Sequence, residues 1–285
     1  MEGVVSAVFE VLNFGAIMVL VVLGLGVIAG MMGIFNFAHG EFVLLGAYTV
    51  YLFHTWTLPI WLGMLAAPVV VAAIALVLER LVIRRFYAVP VIAMLGTYAV
   101  GLAIRESVRG LIGGLYRAVP EPLIGSIDIG AVHIARWRLA IVVITVLVMV
   151  GCYLLLTRTG LGLKVRAALE NPSLARASGL STTRIYAGTF AIGAGLAGLA
   201  GALVVPVFSL SADLGIRFLI QGFLAVMLGG IGSFEGSVAG AALIGVMSAA
   251  LPWGVAPVLA DVLVFLIAVV LVRLWPRGLT AGRTV

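Results

Sequence analysis

Apolar residues in this chain run in blocks of about 20, broken by short polar or glycine-rich segments, instead of recurring on one helical face. A helix that is apolar all round, and long enough to cross ~30 Å of hydrocarbon at ~1.5 Å per residue, reads as a membrane span. The blocks fall at 13–33, 38–56, 60–83, 90–112, 137–157, 185–208, 217–232, 237–255 and 257–275. Several are short or interrupted, so the pattern predicts an all-α, polytopic helical bundle of about eight to ten transmembrane segments. Only 113–136 and 158–184 are long enough to carry loop structure. Residues 1–285 read as one membrane domain.

Composition sharpens the class. The chain is 64% hydrophobic and 10% charged, with mean hydropathy +1.28. A water-soluble domain is nearer half apolar and a quarter charged, so that excess could not be hidden in a core. The net charge of +6 is carried almost wholly by arginine, with Lys164 the one lysine. Arg80, Arg84 and Arg85 form one cluster; Arg158, Lys164, Arg166, Arg176 and Arg184 a second; Arg273, Arg277 and Arg283 a third. Nine spans put all three on one side, which the positive-inside rule makes cytoplasmic, with the N-terminus outside. The basic charge therefore reads as facing anionic lipid, not nucleic acid. Cys152, the one cysteine, sits in an apolar run, which excludes a disulfide framework or thiolate cluster. The N-terminus lacks the basic flank and cleavage site of a secretory signal, so its apolar stretch reads as retained.

Two segments interrupt the apolar pattern in related ways: Gly33-Ile34-Phe35-Asn36-Phe37-Ala38-His39-Gly40-Glu41, and Gly229-Gly230-Ile231-Gly232-Ser233-Phe234-Glu235-Gly236. Paired, glycine-interrupted segments in the two halves of a transporter point to the translocation site, which makes Asn36, His39, Glu41, Gly232, Ser233 and Glu235 candidates. A pair of tight turns is the alternative. Asn36 also suits an N-cap of the second span, and Glu41 the positive end of its dipole. Arg105 and Glu106, near the outer end of the fourth span, are expected to pair locally or to snorkel. Gly188, Gly193, Gly195, Gly198 and Gly201 predict close helix packing along the sixth.

The most polar stretch runs from Arg158 to Arg184. Leu163–Glu170 is expected to form a short helix ended by Asn171-Pro172, and Ser173 to cap a second one that Gly179 stops. Two short helices on the cytoplasmic face could dock in a groove of a soluble partner; the alternative is a plain solvated connector. Enzyme chemistry finds little footing. His39, His54 and His133 are scattered, no Gly-x-Ser-x-Gly elbow occurs, and Lys164 is followed by Val165 where a phosphate-binding loop needs Ser or Thr.

Four blocks resemble the LivH-type branched-chain amino acid permeases, the membrane subunits of ABC importers. They are Asn36-Phe37-Ala38-His39-Gly40-Glu41 with Gly46-Ala47-Tyr48; the loop Gly160–Gly179 with Arg184-Ile185 and Thr189-Phe190-Ala191; Leu228-Gly229-Gly230-Ile231-Gly232-Ser233; and Pro276-Arg277-Gly278. The resemblance implies a multi-pass protein of the bacterial cytoplasmic membrane, working with a sister permease, two cytoplasmic ATPase subunits and a periplasmic binding protein. It implies no cofactor on this chain, ATP being bound by the partner subunits. By the same resemblance, Arg166, Glu170, Asn171, Pro172 and Gly179 belong to the loop that meets the ATPase, and Asn36–Glu41 lies in or beside the pathway. Related permeases carry urea, short amides or aromatic acids, which stay open as substrates. A stand-alone carrier or channel would share the composition.

Overall fold

The computed structural model describes residues 2–32, 35–86, 89–129, 132–276 and 278–280. Its helices are α1 (Glu2–Met32), α2 (His39–Thr55), α3 (Ile60–Leu81), α4 (Pro90–Ile112), α5 (Arg136–Arg158), α6 (Gly160–Glu170), α7 (Pro172–Ala177), α8 (Thr182–Phe208), α9 (Leu214–Gly229), α10 (Phe234–Ala250) and α11 (Pro257–Leu274). Seven of them are long and apolar enough to cross a membrane. The other two apolar segments, α2 and α9, have 17 and 16 residues. At ~1.5 Å per residue they fall short of a ~30 Å hydrocarbon layer. All nine lie where the apolar blocks predicted them.

Helices α1 and α8 form the centre. Their apolar windows are 78% and 67% buried, against 17% for α5 and for α11, whose exposed Val, Leu and Ile faces suit lipid. Small residues set how closely the central helices approach. A Cβ placed on Gly46 of α2 would fall 2.0 Å from the Gly198 carbonyl of α8. Of the glycines predicted to pack α8, Gly193, Gly198 and Gly201 lie against α1, α3 and α2, whereas Gly188 faces open space.

One end of the bundle carries the start of α1. There Asn13 Nδ2 donates to the Arg138 carbonyl at the start of α5 (2.8 Å), Trp61 at the start of α3 meets Trp137 edge-on (5.8 Å), and Phe208 at the end of α8 meets Phe14 (6.3 Å). The far end therefore gathers the last turn of α3, the α5–α8 connection and the end of α11, beyond which Leu279 donates its N–H to the Leu228 carbonyl (3.0 Å). The basic residues at 80–85 and 158–184, with Arg273, share that far end; Arg277 and Arg283 lie outside the described residues. Near it Arg84 grips the buried Glu79 through two bonds, Nε–Oε1 at 3.1 Å and Nη2–Oε2 at 3.0 Å.

The segment 113–136 adds an element that an all-α reading leaves out: an antiparallel hairpin, β1 (Ser126–Ile129) with β2 (Val132–Ala135), at the α1-start end. Ile127-Asp128-Ile129 and Val132-His133-Ile134 alternate apolar and polar, which is strand periodicity, and two strands outside the lipid can leave polar edges to water. The bundle itself is helical.

Candidate functional site

The first interruption lies inside the bundle. His39, the first residue of α2, donates from Nε2 to the Val21 carbonyl of α1 (3.0 Å), which requires the Nε2–H tautomer. Val21 stands eleven residues before the end of α1, so α2 begins ~16 Å back from that end along the bundle. Short length and internal start are thus one fact: α2 covers only part of the membrane thickness, and residues 35–38 lead into it at depth.

Backbone at that depth must be satisfied by protein. The Phe37 N–H donates to Thr97 Oγ1 of α4 (3.0 Å), the Ala38 N–H to Asn36 Oδ1 (3.0 Å), and the His39 N–H to the Asn36 carbonyl (3.2 Å). Phe35 and Phe37 close on Phe223 of α9, with ring centroids 5.3 and 5.0 Å apart. Asn36 therefore closes the turn ahead of α2; the residue at the N-cap itself is Ala38, which makes no side-chain cap. Asn36, His39 and Glu41 are all buried.

Glu41 is where the structure departs from the sequence reading. It forms an ion pair with Arg105 of α4, Arg105 Nη2 donating to Glu41 Oε1, and the two side chains are 1% and 13% exposed. Arg105 neither snorkels nor pairs with Glu106, which meets Arg109 instead (3.2 Å). Deleting one partner of such a buried pair typically costs ~3–5 kcal/mol, because the other charge stays buried and unpaired. The exposed Arg109–Asp213 pair (2.8 Å) belongs to a class worth ~0–1 kcal/mol. Of the ionic contacts between α4 and the bundle, the inner one dominates.

The inner cluster holds more hydrogen-bonding capacity than it uses. Asn36 Nδ2, His39 Nδ1, Glu41 Oε2 and Arg105 Nε are buried and meet no partner among the described residues. Each such group carries a penalty of ~1–3 kcal/mol. At the ion pair itself that leaves Arg105 Nε as a donor and Glu41 Oε2 as an acceptor, while His39 Nδ1 lies on the side of α2 that meets α1. Arg105 is the site residue that sequence reasoning missed. The available signal was a charge within an apolar block, but its partner is invisible without knowing that α2 starts at depth.

The second interruption differs. Gly230 and Gly232 turn the chain with φ of +102° and +96°, and Ser233 caps α10 by accepting the Gly236 N–H at Oγ (3.0 Å). Thr280 bonds the same Oγ (3.0 Å) and donates to the Gly229 carbonyl (3.2 Å). Glu235 faces outward. This turn sits beside Gly30, nine residues further along α1 than Val21, or ~14 Å at helical rise. Gly232, Ser233 and Glu235 are therefore not brought together with Asn36, His39 and Glu41. Gly232 instead lines a cavity of about 140 Å³ with Arg166, Leu169 and Gly30, against the connection that follows α5.

That connection forms two helices at the far end, with boundaries shifted from those expected. Helix α6 starts at Gly160, its first turn capped by Thr159 (Gly162 N–H to Oγ1, 3.5 Å). Asn171, not Ser173, caps α7: its extended backbone is what a residue before Pro172 adopts, and its Oδ1 accepts the Leu174 N–H (2.9 Å). Gly179 ends α7 at φ +82°. Val165, Ala168 and Ala175 face inward, and Tyr186 Oη of α8 donates to the Ala168 carbonyl (3.1 Å). Leu161, Leu163, Glu170 and Leu174 project outward, while Arg166 Nη1 holds the Leu156 carbonyl at the end of α5 (2.6 Å).

A helical bundle with partial-length helices, a polar cluster at depth and a two-helix outer connection defines a multi-pass membrane transport protein. Residues 7–272 match the family described as branched-chain amino acid transport system / permease component, and the chain belongs to that family. It is 30% identical over 260 residues to the high-affinity branched-chain amino acid transport system permease protein BraD of Pseudomonas aeruginosa, covering 84% of this chain and 83% of that protein. It is 25% identical over 287 residues to the corresponding LivH of Escherichia coli K12, covering 95% and 93%. A probable LivH of Methanocaldococcus jannaschii is 26% identical over 246 residues, covering 82% and 76%. Among solved structures, PsaBC of Streptococcus pneumoniae in complex with Fab aligns with a TM-score of 0.48 at 14% identity, covering 91% of this chain and 89% of that one.

Proposed function

We propose that this chain is the permease subunit of an ABC importer that moves branched-chain amino acids across the cytoplasmic membrane. It would work with a sister permease, a substrate-binding protein outside and two ATPase subunits inside that bind and hydrolyse the ATP. The family and the named transport of its relatives support the substrate class. The observation that carries a permeation role is the start of α2 at depth, which sets Asn36, His39 and Glu41 with Arg105 inside the bundle. Irregular backbone at membrane depth is tolerated where protein buries it or a wet cavity adjoins it, and an intramembrane charge pair marks a pathway more often than a scaffold.

The outward residues of α6 and α7, Leu163, Glu170 and Leu174, form the docking surface for the ATPase. Arg166, Asn171, Pro172 and Gly179 set the shape of that surface rather than its contacts. Gly232, beside Arg166, would pass a shift of α6 to the α9–α10 turn, with Ser233 and Glu235 following at the start of α10.

The test is ATP-dependent leucine uptake into proteoliposomes holding the whole complex and its binding protein. Uptake of leucine, isoleucine or valine by the complex, with no ATP hydrolysis by this chain alone, is the expected result. Uptake of urea or acetamide in place of leucine would overturn the substrate, and ion-driven uptake by the chain alone would overturn the mechanism.

A further inference from the structure

The buried pair on α2 and α4 has the composition of a receptor. Glu41 offers a carboxylate whose Oε2 has no partner among the described residues, and Arg105 a guanidinium whose Nε has none either. Gly101, one turn before Arg105 on α4, leaves room for the acid: a Cβ there would stand 2.9 Å from Glu41 Oε2 and 3.3 Å from the Ala38 Cα. A side chain at 101 would press on the carboxylate and force it to shift. The pair is thus held by a gap in α4, with capacity left over on both charges.

We propose that Glu41 and Arg105 are the two halves of a binding site for a zwitterionic α-amino acid, closed on each other in this conformation. Glu41 receives the α-ammonium and Arg105 the α-carboxylate. The inference rests on the permease reading and names the part of the substrate that the site recognises. A guanidinium presents its N–H groups in a fork that matches a carboxylate, so the exchange keeps each charge with a partner of opposite sign. A zwitterion brings one charge of each sign, so the buried site stays neutral whether closed on itself or filled. Urea or a short amide brings no charge and would leave both Glu41 and Arg105 unpaired in a medium of low dielectric. A monoanion would leave Glu41 bare. The pair therefore selects for zwitterions whatever the side chain.

The experiment compares Glu41→Gln, Arg105→Gln and the double variant in the complete complex, reading assembly, melting temperature and ATP-driven leucine uptake. Wild-type uptake of leucine is the control on the permease reading itself; if that fails, the reading falls and not merely this site. Each single variant leaves one buried charge unpaired and should assemble poorly. The double variant removes both charges, so it should recover assembly and melting temperature while leucine uptake stays below a tenth of wild type. Recovery of more than half of wild-type uptake by the double variant would make the pair a structural clasp and overturn the proposal. If the double variant does not assemble, Arg105→Lys decides, since it keeps the charge and loses the fork. More ATP hydrolysed per leucine moved, at unchanged melting temperature, supports the site; an unchanged ratio overturns it.

Discussion

Arg105 of α4 and Glu41 of α2 are 64 residues apart in the chain, yet they form a buried ion pair inside the bundle. The contact exists because α2 starts level with Val21, which lowers its first acidic turn to the depth of α4's last third. A full-length α2 would carry Glu41 to the aqueous boundary, where a carboxylate needs no partner.

The first prediction separates this pair from its exposed neighbour. Arg105→Leu should destabilise the assembled complex by ~3–5 kcal/mol, since Glu41 is left charged and buried. Asp213→Ala, which breaks the exposed pair with Arg109, should cost no more than ~1 kcal/mol. Denaturation of the two variants under one set of conditions checks the difference; equal losses would mean that α4 is held by apolar packing and not by charge.

The second concerns the central packing. Gly46→Val places its Cβ about where the Gly198 carbonyl lies, 2.0 Å away, and neither backbone can yield without moving a whole helix. A loss beyond the ~1–3 kcal/mol of ordinary overpacking is expected, seen as failure to accumulate in the membrane. Gly188→Ala, facing open space on the same α8, should be neutral or stabilising by up to ~1 kcal/mol. If both variants accumulate normally, the α2–α8 approach is looser than described.

Much of this architecture is legible in the sequence, and the exceptions share a cause. Blocks 60–83, 90–112 and 257–275 became Ile60–Leu81, Pro90–Ile112 and Pro257–Leu274 because apolar length and a proline in or before the first turn act locally. Helix α1 was expected from residue 13 and starts at Glu2, since the polar residues Ser6 and Glu10 lower the hydropathy without stopping a helix. Asn36, His39 and Glu41 stood out as polar residues in an apolar run, but their depth did not. Depth follows from where α2 begins relative to α1, which is a tertiary fact. For the same reason the two glycine-rich interruptions look alike in sequence, although one is at depth and the other is an end turn tied to Thr280. Asn171 took the cap expected of Ser173 because the residue before a proline is already extended.

The third prediction tests the outer helices. Glu170 ends α6, where the helix dipole disfavours an acid, and it projects outward; its placement is not explained by helix electrostatics. Glu170→Lys should release the ATPase and abolish uptake, in line with the ~2–5 kcal/mol lost when one partner of a buried interface pair is removed. Arg176→Ala, which removes a charge from an exposed face of α7, serves as the control and should leave assembly intact. Normal recovery of the ATPase with Glu170→Lys would remove this surface from consideration as the docking site.

The fourth lies outside the membrane-spanning segments, on the hairpin. The His133 ring bonded to Asp128 (Nδ1–Oδ1, 2.6 Å) holds the Asp128 carboxyl below its ordinary value, with Ser126 Oγ assisting. A group whose folded pKa is depressed adds stability above its unfolded pKa and loses it as pH falls through the folded value. Local order in the hairpin, followed by NMR of His133, should therefore persist from neutral pH down to about 4 and fade only below that. Asp128→Asn should abolish this acid dependence; a hairpin that loosens between pH 7 and 6 in both proteins would point to His133 alone.

The last prediction divides the two nitrogens of His39. Nε2 is committed to the Val21 carbonyl, and its loss together with the imidazole volume should destabilise the protein. His39→Ala removes both, for about 2–4 kcal/mol if the site collapses poorly, so stability and uptake should fall together. His39→Gln is the informative change. Its amide N–H can reach where Nε2 stands and keep the bond to Val21, but it places no acceptor at the position of Nδ1, which is buried and meets no partner among the described residues. If Nδ1 serves a substrate or a moving helix during transport, His39→Gln should keep melting within ~1 kcal/mol of wild type, the spread of a single neutral hydrogen bond, while uptake drops several-fold. Full uptake by His39→Gln would confine His39 to holding α2 against α1 and leave recognition to Glu41 and Arg105.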